Sequence, residues 1–262
     1  MGLVNSGICA VDFDETYFAT TNLQNYFQER LNFQHLKHVH LYCDPHSLQI
    51  LQKRLQLRRK KGITFIGSGN FHYLTYFFLK EMTKPFTLVL FDNHLDLELK
   101  TNLMGSSMLS CGTWVSHALA NIPLLERVVI IGPTVSVNSE NTHPRTIIFP
   151  YSKIHEISSQ QLLTTIQTKH VYISIDKDVL HPRIVQTNWD QGLMEIETLT
   201  TILEQILAKK LVEGIDICGE AQLNPLQLLQ PECLTIVKKN EEANLRILQT
   251  CLKAIDRQTI GA

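Results

Sequence analysis

From about residue 62 onward, short β-branched or aromatic runs alternate with longer segments whose apolar residues recur every three to four positions. The runs are typical of buried strands and the longer segments of crossover helices, so the alternation predicts βαβ units around a parallel sheet. The predicted strands are 63–66, 86–91, 128–131, 146–149, 170–175 and 211–217. The predicted helices are 73–82, 113–120, 159–168, 196–209 and 241–255. Because these strands are apolar along their whole length, helices must cover both faces, which predicts a three-layer α/β/α fold with a mostly parallel central sheet.

The first sixty residues follow this pattern less clearly. Segment 36–42 is predicted to be a strand and segment 45–59 an amphipathic helix, and neither carries a recognisable functional motif. No repeat and no linker rich in Pro, Gly and Ser divides the chain. We therefore expect residues 1–262 to form a single domain.

Charge and cysteine usage indicate which kinds of binding partner and which cellular compartment to expect. Lys and Arg total 24 and Asp and Glu total 25, giving a formal net charge of -1, so no global field favours nucleic acid or an anionic membrane. No apolar run approaches the roughly 18 residues of a membrane helix, and the N-terminus lacks the pattern of a secretion signal. The six cysteines contain no CxxC pair and are expected to be reduced thiols. We expect a cytoplasmic protein with neither nucleic-acid nor membrane partners.

Acidic residues and histidines follow two of the predicted strands directly. The strand 86–91 runs into Asp92-Asn-His94-Leu-Asp96, and the strand 170–175 runs into Asp176-Lys-Asp178. On an extended segment, residues at i, i+2 and i+4 point the same way. Carboxylates gathered at one sheet edge repel one another unless a cation compensates. Either segment alone is more typical of loop acids that cap helices, whereas the two together, with a histidine between the acids, predict a divalent-metal site.

Two further strand ends add candidates to the same edge. The strand 63–66 leads into Gly67-Ser-Gly-Asn-Phe-His72, a glycine-bearing turn that brings the imidazole of His72 near the acids. The strand 211–217 leads into Cys218-Gly-Glu220, which places another acid there. Taken singly, His72 is also compatible with a helix cap and Glu220 with a solvated loop acid.

The order and spacing of these residues resemble those of the arginase, agmatinase and formiminoglutamase family, the ureohydrolases. That family has a Gly-Gly-Asp-His turn, then Asp-Ala-His-x-Asp, then Ser-x-Asp-x-Asp-x-x-Asp-Pro. The corresponding segments of this chain are Gly69-Asn-Phe-His72, Asp92-Asn-His94-Leu-Asp96 and Ser174-Ile-Asp176-Lys-Asp178-Val-Leu-His181-Pro182. The resemblance extends from about residue 62 to about residue 225 and rests on six ligand positions occurring together.

The resemblance implies a site for two Mn²⁺ ions per subunit, with Zn²⁺ or another divalent ion as the alternative. His72 and Asp96 would bind one ion and His94 and Asp178 the other. Asp92 and Asp176 would bridge both. In the family, a hydroxide that bridges the two ions attacks the guanidinium or amidine carbon of a small cationic substrate, and an amine is released. The resemblance also implies homo-oligomers, although segment 241–255 is expected to pack on its own sheet.

Three departures from the family pattern concern how substrate is handled. Segment 105–114 places Cys111 where arginases carry a histidine thought to shuttle protons; Cys111 is either a proton donor or simply a small buried residue. The guanidinium-binding glutamate has its counterpart in Glu220, one residue later than in the family. His181 replaces the aspartate of the Asp-Pro pair.

The loop that follows Pro182 contains Trp189 and Asp190, in the region where ureohydrolases carry a Gly-rich segment near the substrate. We expect Trp189 or Asp190 to line the substrate pocket. The alternative is that Trp189 packs beneath the loop and Asp190 caps the helix that begins near residue 196.

The function predicted from the sequence is thus a binuclear-manganese hydrolase that cleaves a non-peptide C–N bond of a small guanidino, amidino or formimino compound. One alternative is a Zn²⁺-dependent deacetylase-like amidohydrolase. Such enzymes resemble ureohydrolases in sheet and core ligands but use two adjacent histidines as general acid and base, and this sequence has no His-His pair. The other alternative is a family member that binds metal without catalysing a reaction.

Overall fold

The strands of this computed structural model form one continuous sheet. The structure describes residues 3, 7–98, 108–134 and 142–260, with side chains as far as residue 254. Its strands are β1 (Ile8–Asp12), β2 (Glu29–Asn32), β3 (Ile63–Gly67), β4 (Phe86–Phe91), β5 (Leu125–Ile131), β6 (Thr146–Phe149), β7 (His170–Asp176) and β8 (Leu211–Cys218). Their order across the sheet is β2-β1-β3-β8-β7-β4-β5-β6. Every neighbouring pair is parallel, so the sheet is parallel throughout rather than mostly.

Helices cover both faces of this sheet, as its apolar strands require. The helices are α1 (Pro45–Gln56), α2 (Thr75–Leu79), α3 (Trp114–Asn121), α4 (Ser159–Thr165), α5 (Ile196–Lys209) and α6 (Pro231–Ile260). One core cluster joins α1, α2 and α3 to Leu88 and Leu90 of β4. The other joins α4, α5 and α6 to Val89 and Phe91 of the same strand. This alternation along β4 confirms the predicted α/β fold class, with one helical layer on each face.

The N-terminal segment departs from the sequence prediction. The predicted strand 36–42 is wrong, because His38 and Leu41 have positive φ angles of 55° and 67°, which an extended strand does not allow. Its apolar residue Val39 is nevertheless buried in the core, which explains why the segment resembles a strand. Helix α1 is present, and Asp44 caps it by accepting hydrogen bonds from the backbone of His46 and Ser47. The strands β1 and β2 lie outside the strands that the sequence analysis predicted.

Helix α6 is longer than the predicted 241–255 and begins at Pro231. It packs on the sheet through Ala243, Ile247, Leu248 and Cys251, which belong to the same core cluster as α5. Among the described helices, none combines the length and apolar composition that crossing a bilayer would require.

Candidate metal centre

The predicted ligands meet at the carboxyl ends of β3, β7 and β4, three of the four central strands of the sheet. Their loops leave the sheet at this edge, which is where ligand sites of parallel α/β sheets generally form. His72 follows β3, Asp92, His94 and Asp96 follow β4, and Asp176 and Asp178 lie at the end of β7. The sheet order therefore brings together residues that are up to 106 positions apart in the sequence, from His72 to Asp178.

A tight turn after β3 places His72 at this edge. Gly67 has a φ of 93°, which permits the turn, and Ser68 accepts a hydrogen bond from the backbone N–H of Asn70. A 3-10 helix over Gly69–Leu74 then carries His72 inward, where it is buried. A Cβ atom at Gly69 would lie 2.7 Å from Asp176 Oδ2, so only glycine fits there.

The segment after β4 is a turn, not the extended run that its spacing predicts. The backbone N–H of His94 donates to Asp92 Oδ1 at 2.6 Å. Asp96 has a φ of 52°, a rare left-handed conformation of the kind that recurs at functional sites. Trp114 Nε1 donates to Asp96 Oδ2 at 2.5 Å. The three side chains converge because the chain folds back on itself and Trp114 orients the last carboxylate.

At the end of β7, the chain places two carboxylates on one side and a lysine on the other. Asp176 Oδ1 accepts a hydrogen bond of 3.0 Å from the backbone N–H of Asp178. Asp178 Oδ1 in turn accepts one of 3.0 Å from the backbone N–H of Asn93, which ties the β7 and β4 loops together. Lys177, between the two aspartates, is completely buried in another direction.

The side chains form two groups that share Asp92. His72 Nδ1 lies 3.4 Å from Asp92 Oδ2, 3.4 Å from Asp96 Oδ2 and 3.5 Å from Asp176 Oδ2. His94 Nδ1 lies 3.5 Å from Asp92 Oδ1 and 2.9 Å from Asp178 Oδ2. Three sets of donor atoms are each close enough to hold one metal ion: His72, Asp92 and Asp96; Asp92, His94 and Asp178; and His72, Asp176 and Cys218. Because its two oxygens face different histidines, Asp92 has the placement of a bridging ligand.

The pKa values of these groups reflect their burial and their closeness to one another. Burial and the carboxylate of Asp92 raise the pKa of Asp178 to about 7. Burial and the neighbouring acids also raise the pKa of Asp92 and of Asp176 above the usual range. Burial opposes protonation of His94, but hydrogen bonds to Asp178 and Asp92 outweigh it and raise its pKa to about 11. The cluster thus retains protons that a divalent cation would displace.

A second set of residues, which the sequence analysis did not identify as functional, holds His72 and Asp176. His72 Nε2 lies 2.8 Å from Ser174 Oγ, which donates to Asp216 Oδ1 at 2.7 Å. The Cys218 thiol donates to Asp176 Oδ2 at 3.1 Å. Metal-binding histidines generally have such a partner on their second nitrogen, because it sets the ring orientation. Ser174, the serine of the Ser-x-Asp-x-Asp motif, was the sequence signal that could have identified this set.

A cavity of about 490 Å³ opens above these ligands. Its lining includes the predicted residues Cys111 and Trp189, together with Glu98, which the sequence analysis missed. Glu98 is exposed, and its carboxylate lies close to Gly112. Residues 105–107 of the segment that precedes Cys111 lie outside the described residues. Burial and the charge of Asp96 raise the pKa of Cys111 to about 12, which favours the thiol over the thiolate.

Two predicted residues are placed elsewhere. Asp190 is exposed and is not among the described residues that line the cavity; its backbone carbonyl accepts a hydrogen bond from Asn93. Glu220 is buried, and Lys177 and Asn244 donate hydrogen bonds to its Oε1. The position before it is Gly219, where a Cβ atom would lie 2.5 Å from Asp176 Oδ1. The one-residue displacement of the acid therefore turns its carboxylate away from the cavity.

The fold agrees with comparisons to known proteins. The family model described as the arginase family matches residues 12–226. An uncharacterized protein of Thermotoga maritima is 37% identical over 187 residues, which cover 71% of this chain and 66% of that protein. This chain therefore spans slightly less than two thirds of that relative's length.

Solved structures with the same fold include enzymes of known activity. Proclavaminate amidino hydrolase from Streptomyces clavuligerus superimposes with a TM-score of 0.65 at 13% identity, covering 95% of this chain and 92% of that one. Agmatine ureohydrolase of Thermoplasma volcanium superimposes with a TM-score of 0.63 at 16% identity, covering 95% and 90%. At such identities the similarity concerns the fold.

Proposed function

Because this chain belongs to the arginase family, we propose that it is a binuclear-manganese hydrolase that cleaves a non-peptide C–N bond of a small guanidino, amidino or formimino compound. The observation that carries the proposal is the pair of His- and Asp-containing groups that share Asp92. Carboxylate oxygens with a minority of imidazole nitrogens form a hard donor set, which suits Mn²⁺. The cavity above them has room for a small organic substrate.

The residues fit two ions in the following way. His72, Asp96 and Asp176 would hold one ion and His94 and Asp178 the other, with Asp92 shared between them. Two such ions supply Lewis acidity and make hydroxide available near neutral pH. Ser174 fixes the ring of His72, and Trp114 fixes the carboxylate of Asp96. The exposed carboxylate of Glu98 gives the cavity a negative charge that suits a cationic substrate.

Cys111 is the residue proposed to handle a proton. It lines the cavity, and its high pKa keeps the sulfur protonated at neutral pH. Divalent ions bound nearby would lower this pKa, and a thiol tuned in that way can donate a proton to a departing amine. This role would take the place of the histidine that arginases carry at the corresponding position.

A combined metal and activity assay tests the proposal. The protein purified without chelators is expected to hold two Mn²⁺ ions per chain, and Mn²⁺ added to metal-free protein is expected to raise Tm. Metal-loaded protein is then incubated with arginine, agmatine, guanidinobutyrate, formiminoglutamate and acetylpolyamines, while urea, ammonia, formamide and acetate are measured together. Acetate release by a Zn²⁺-loaded protein would instead identify a deacetylase. Full metal loading without any product would indicate a non-catalytic metal-binding protein.

A further inference from the structure

One aromatic side chain, Trp189, lies directly beside the candidate metal ligands. Its ring centroid is 5.7 Å from that of His94, and the two planes are inclined at 71°. Trp189 is half-buried and lines the same cavity as the ligand groups. A substrate that reaches the metal centre through this cavity can therefore contact the indole.

The indole is held in place before any substrate arrives. Trp189 Nε1 donates to Asn70 Oδ1 at 3.0 Å. The amide nitrogen of Asn70 is in turn 2.9 Å from His40 Nε2 and 2.8 Å from Gln222 Oε1. A Cβ atom at Gly69 would lie 3.2 Å from Trp189 Cδ1, so the glycine that His72 requires also makes room for the ring. Four loops thus fix one aromatic surface, which lowers the entropic cost of binding against it.

Glu220, the carboxylate that the sequence analysis gave as the counterpart of the guanidinium-binding glutamate, points away from the cavity. Glu220 is paired with Lys177 and Asn244, outside the described lining of the cavity. Glu98 is exposed and lies close to Gly112. Within the described lining of the cavity, the ligand groups and Glu98 carry negative charge, and the indole of Trp189 is the aromatic surface beside His94 that can attract a cation at the metal centre.

We propose that Trp189 binds the planar, delocalised cation of the substrate against its ring, and so replaces a carboxylate as the residue that selects an amidinium or guanidinium group. This inference rests on the proposed function and names the residue that recognises the reacting group. Aromatic rings attract such cations electrostatically, and the planar guanidinium shape stacks well on indole. Recognition by a ring also lets the Lys177–Glu220 pair serve a purely structural purpose.

Calorimetry on the Mn²⁺-loaded protein tests this with two ligands of nearly equal shape, propylguanidine, which is charged, and propylurea, which is neutral. Trp189→Leu removes the π-surface and keeps apolar bulk, and it is expected to weaken propylguanidine binding about tenfold but propylurea binding at most about threefold. Trp189→Phe keeps a ring and is expected to restore much of the affinity. Tyr26→Leu makes the same kind of change at a residue outside the described cavity lining and is expected to leave both affinities unchanged.

Tryptophan fluorescence tests whether propylguanidine contacts Trp189, independently of the affinity measurements. The chain has two tryptophans, and Trp114 is fully buried. Propylguanidine is expected to change the emission of the wild-type protein in the first milliseconds, before any turnover, and to leave that of Trp189→Phe almost unchanged. The fluorescence measurement, and the comparison of the two ligands on the wild-type protein, remain valid tests even if Trp189→Leu does not fold.

Several results would overturn the inference. They are equal losses for the two ligands in Trp189→Leu, unchanged propylguanidine affinity in that variant, and no propylguanidine binding to the wild-type protein. Binding through Trp189 without hydrolysis of any amidine or guanidine would disprove the proposed function alone. Amidine hydrolysis with an unaltered KM in Trp189→Leu would disprove this inference alone.

Discussion

The floor and the wall of the cavity are built in different ways. The floor consists of the six candidate ligands, His72, Asp92, His94, Asp96, Asp176 and Asp178. The wall consists of the apolar and aromatic lining residues Leu41, Tyr42, Leu95, Leu97, Met108 and Trp189. Asp92 in the floor is 1% exposed, whereas Tyr42 and Met108 in the wall are 43% and 37% exposed. The floor follows buried strands, and the wall comes from loops.

Because of this difference, we expect floor residues to determine the chemistry and wall residues to determine which substrate binds. Floor residues are held by the sheet and by one another, so a single change there disturbs the whole cluster. Wall loops hold one another: the backbone N–H of Cys111 donates to the carbonyl of Leu41 at 2.9 Å, and Tyr42 pairs with Ser110 as an isolated bridge. Substitutions in the wall should therefore alter which molecule binds and leave metal binding largely intact.

The largest expected effect is in the floor, at the carboxylate that both histidines share. Asp92→Asn is expected to reduce kcat by about a thousandfold or more, because it removes a charged ligand from both ion positions. It should also remove the Mn²⁺-dependent rise in Tm. The matched control is Asp190→Asn, an exposed acid outside the described cavity lining, which should retain two Mn²⁺ ions per chain. A fully metal-loaded and active Asp92→Asn protein would contradict the proposed ligand set.

The next largest effect is expected at the buried pair formed by Lys177 and Glu220. Lys177→Met leaves the carboxylate of Glu220 buried with only Asn244 as partner, and is expected to lower the free energy of unfolding by about 3–5 kcal/mol. The double variant Lys177→Met, Glu220→Gln should recover much of this loss, because it leaves no unpaired buried charge. Urea titration of the single and double variants measures both. If Glu220 instead binds substrate, Glu220→Gln would raise KM and leave the unfolding midpoint unchanged.

A smaller effect is expected from the residue that orients a floor histidine. Ser174→Ala removes the hydroxyl between His72 and Asp216 and is expected to weaken Mn²⁺ affinity by about 10-fold to 100-fold. Metal-competition titration with a fluorescent chelator measures the affinity. As a control, Thr164→Ala removes an exposed helical hydroxyl that bonds only backbone carbonyls, and should not change it. Equal affinities for Ser174→Ala and the wild type would show that the hydroxyl does not orient the ring.

The smallest expected effect lies where floor and wall meet, at Cys111. Cys111→Ser is expected to keep kcat within about threefold, because a hydroxyl can donate a proton from the same place, whereas Cys111→Ala should lower kcat by about tenfold or more. Steady-state kinetics on metal-loaded protein measures both. A fully active Cys111→Ala enzyme would leave Cys111 as a small packing residue in the wall.

Much of the fold could be predicted because the strands and helices have distinct apolar periods. Helix α5 was predicted at its observed bounds, and β4 and β6 likewise. The segment 36–42 was misread because burial of Val39 imitates a strand, while the positive φ angles that prevent one leave no reliable trace in the residue types. Strands β1 and β2 complete the sheet at one edge. The short strand β2 has a single apolar residue among its four positions, which gives a weak signal.

The six floor residues could be predicted for a physical reason. Each lies at the end of a buried parallel strand or within a few residues after it, and the carboxyl ends of such strands meet at one edge of the sheet whatever their order. The direction of a side chain beyond that edge depends on the backbone of one or two residues. Glu220 shows this: Gly219, with a φ of 89°, turns the following carboxylate towards Lys177 and Asn244, and no pattern in the sequence distinguishes this from a turn towards the cavity.

The sequence by itself therefore determined the class of fold, the sheet edge and the ligand types, because these follow from periodicity and from short motifs at strand ends. Only the tertiary structure decided which side chains form the wall, which acid leaves the cavity, and how Ser174, Asp216 and Trp114 hold the ligands. Those contacts join residues far apart in the chain and depend on distances of a few ångströms. Local sequence patterns do not encode such distances, whereas packing against a common sheet does.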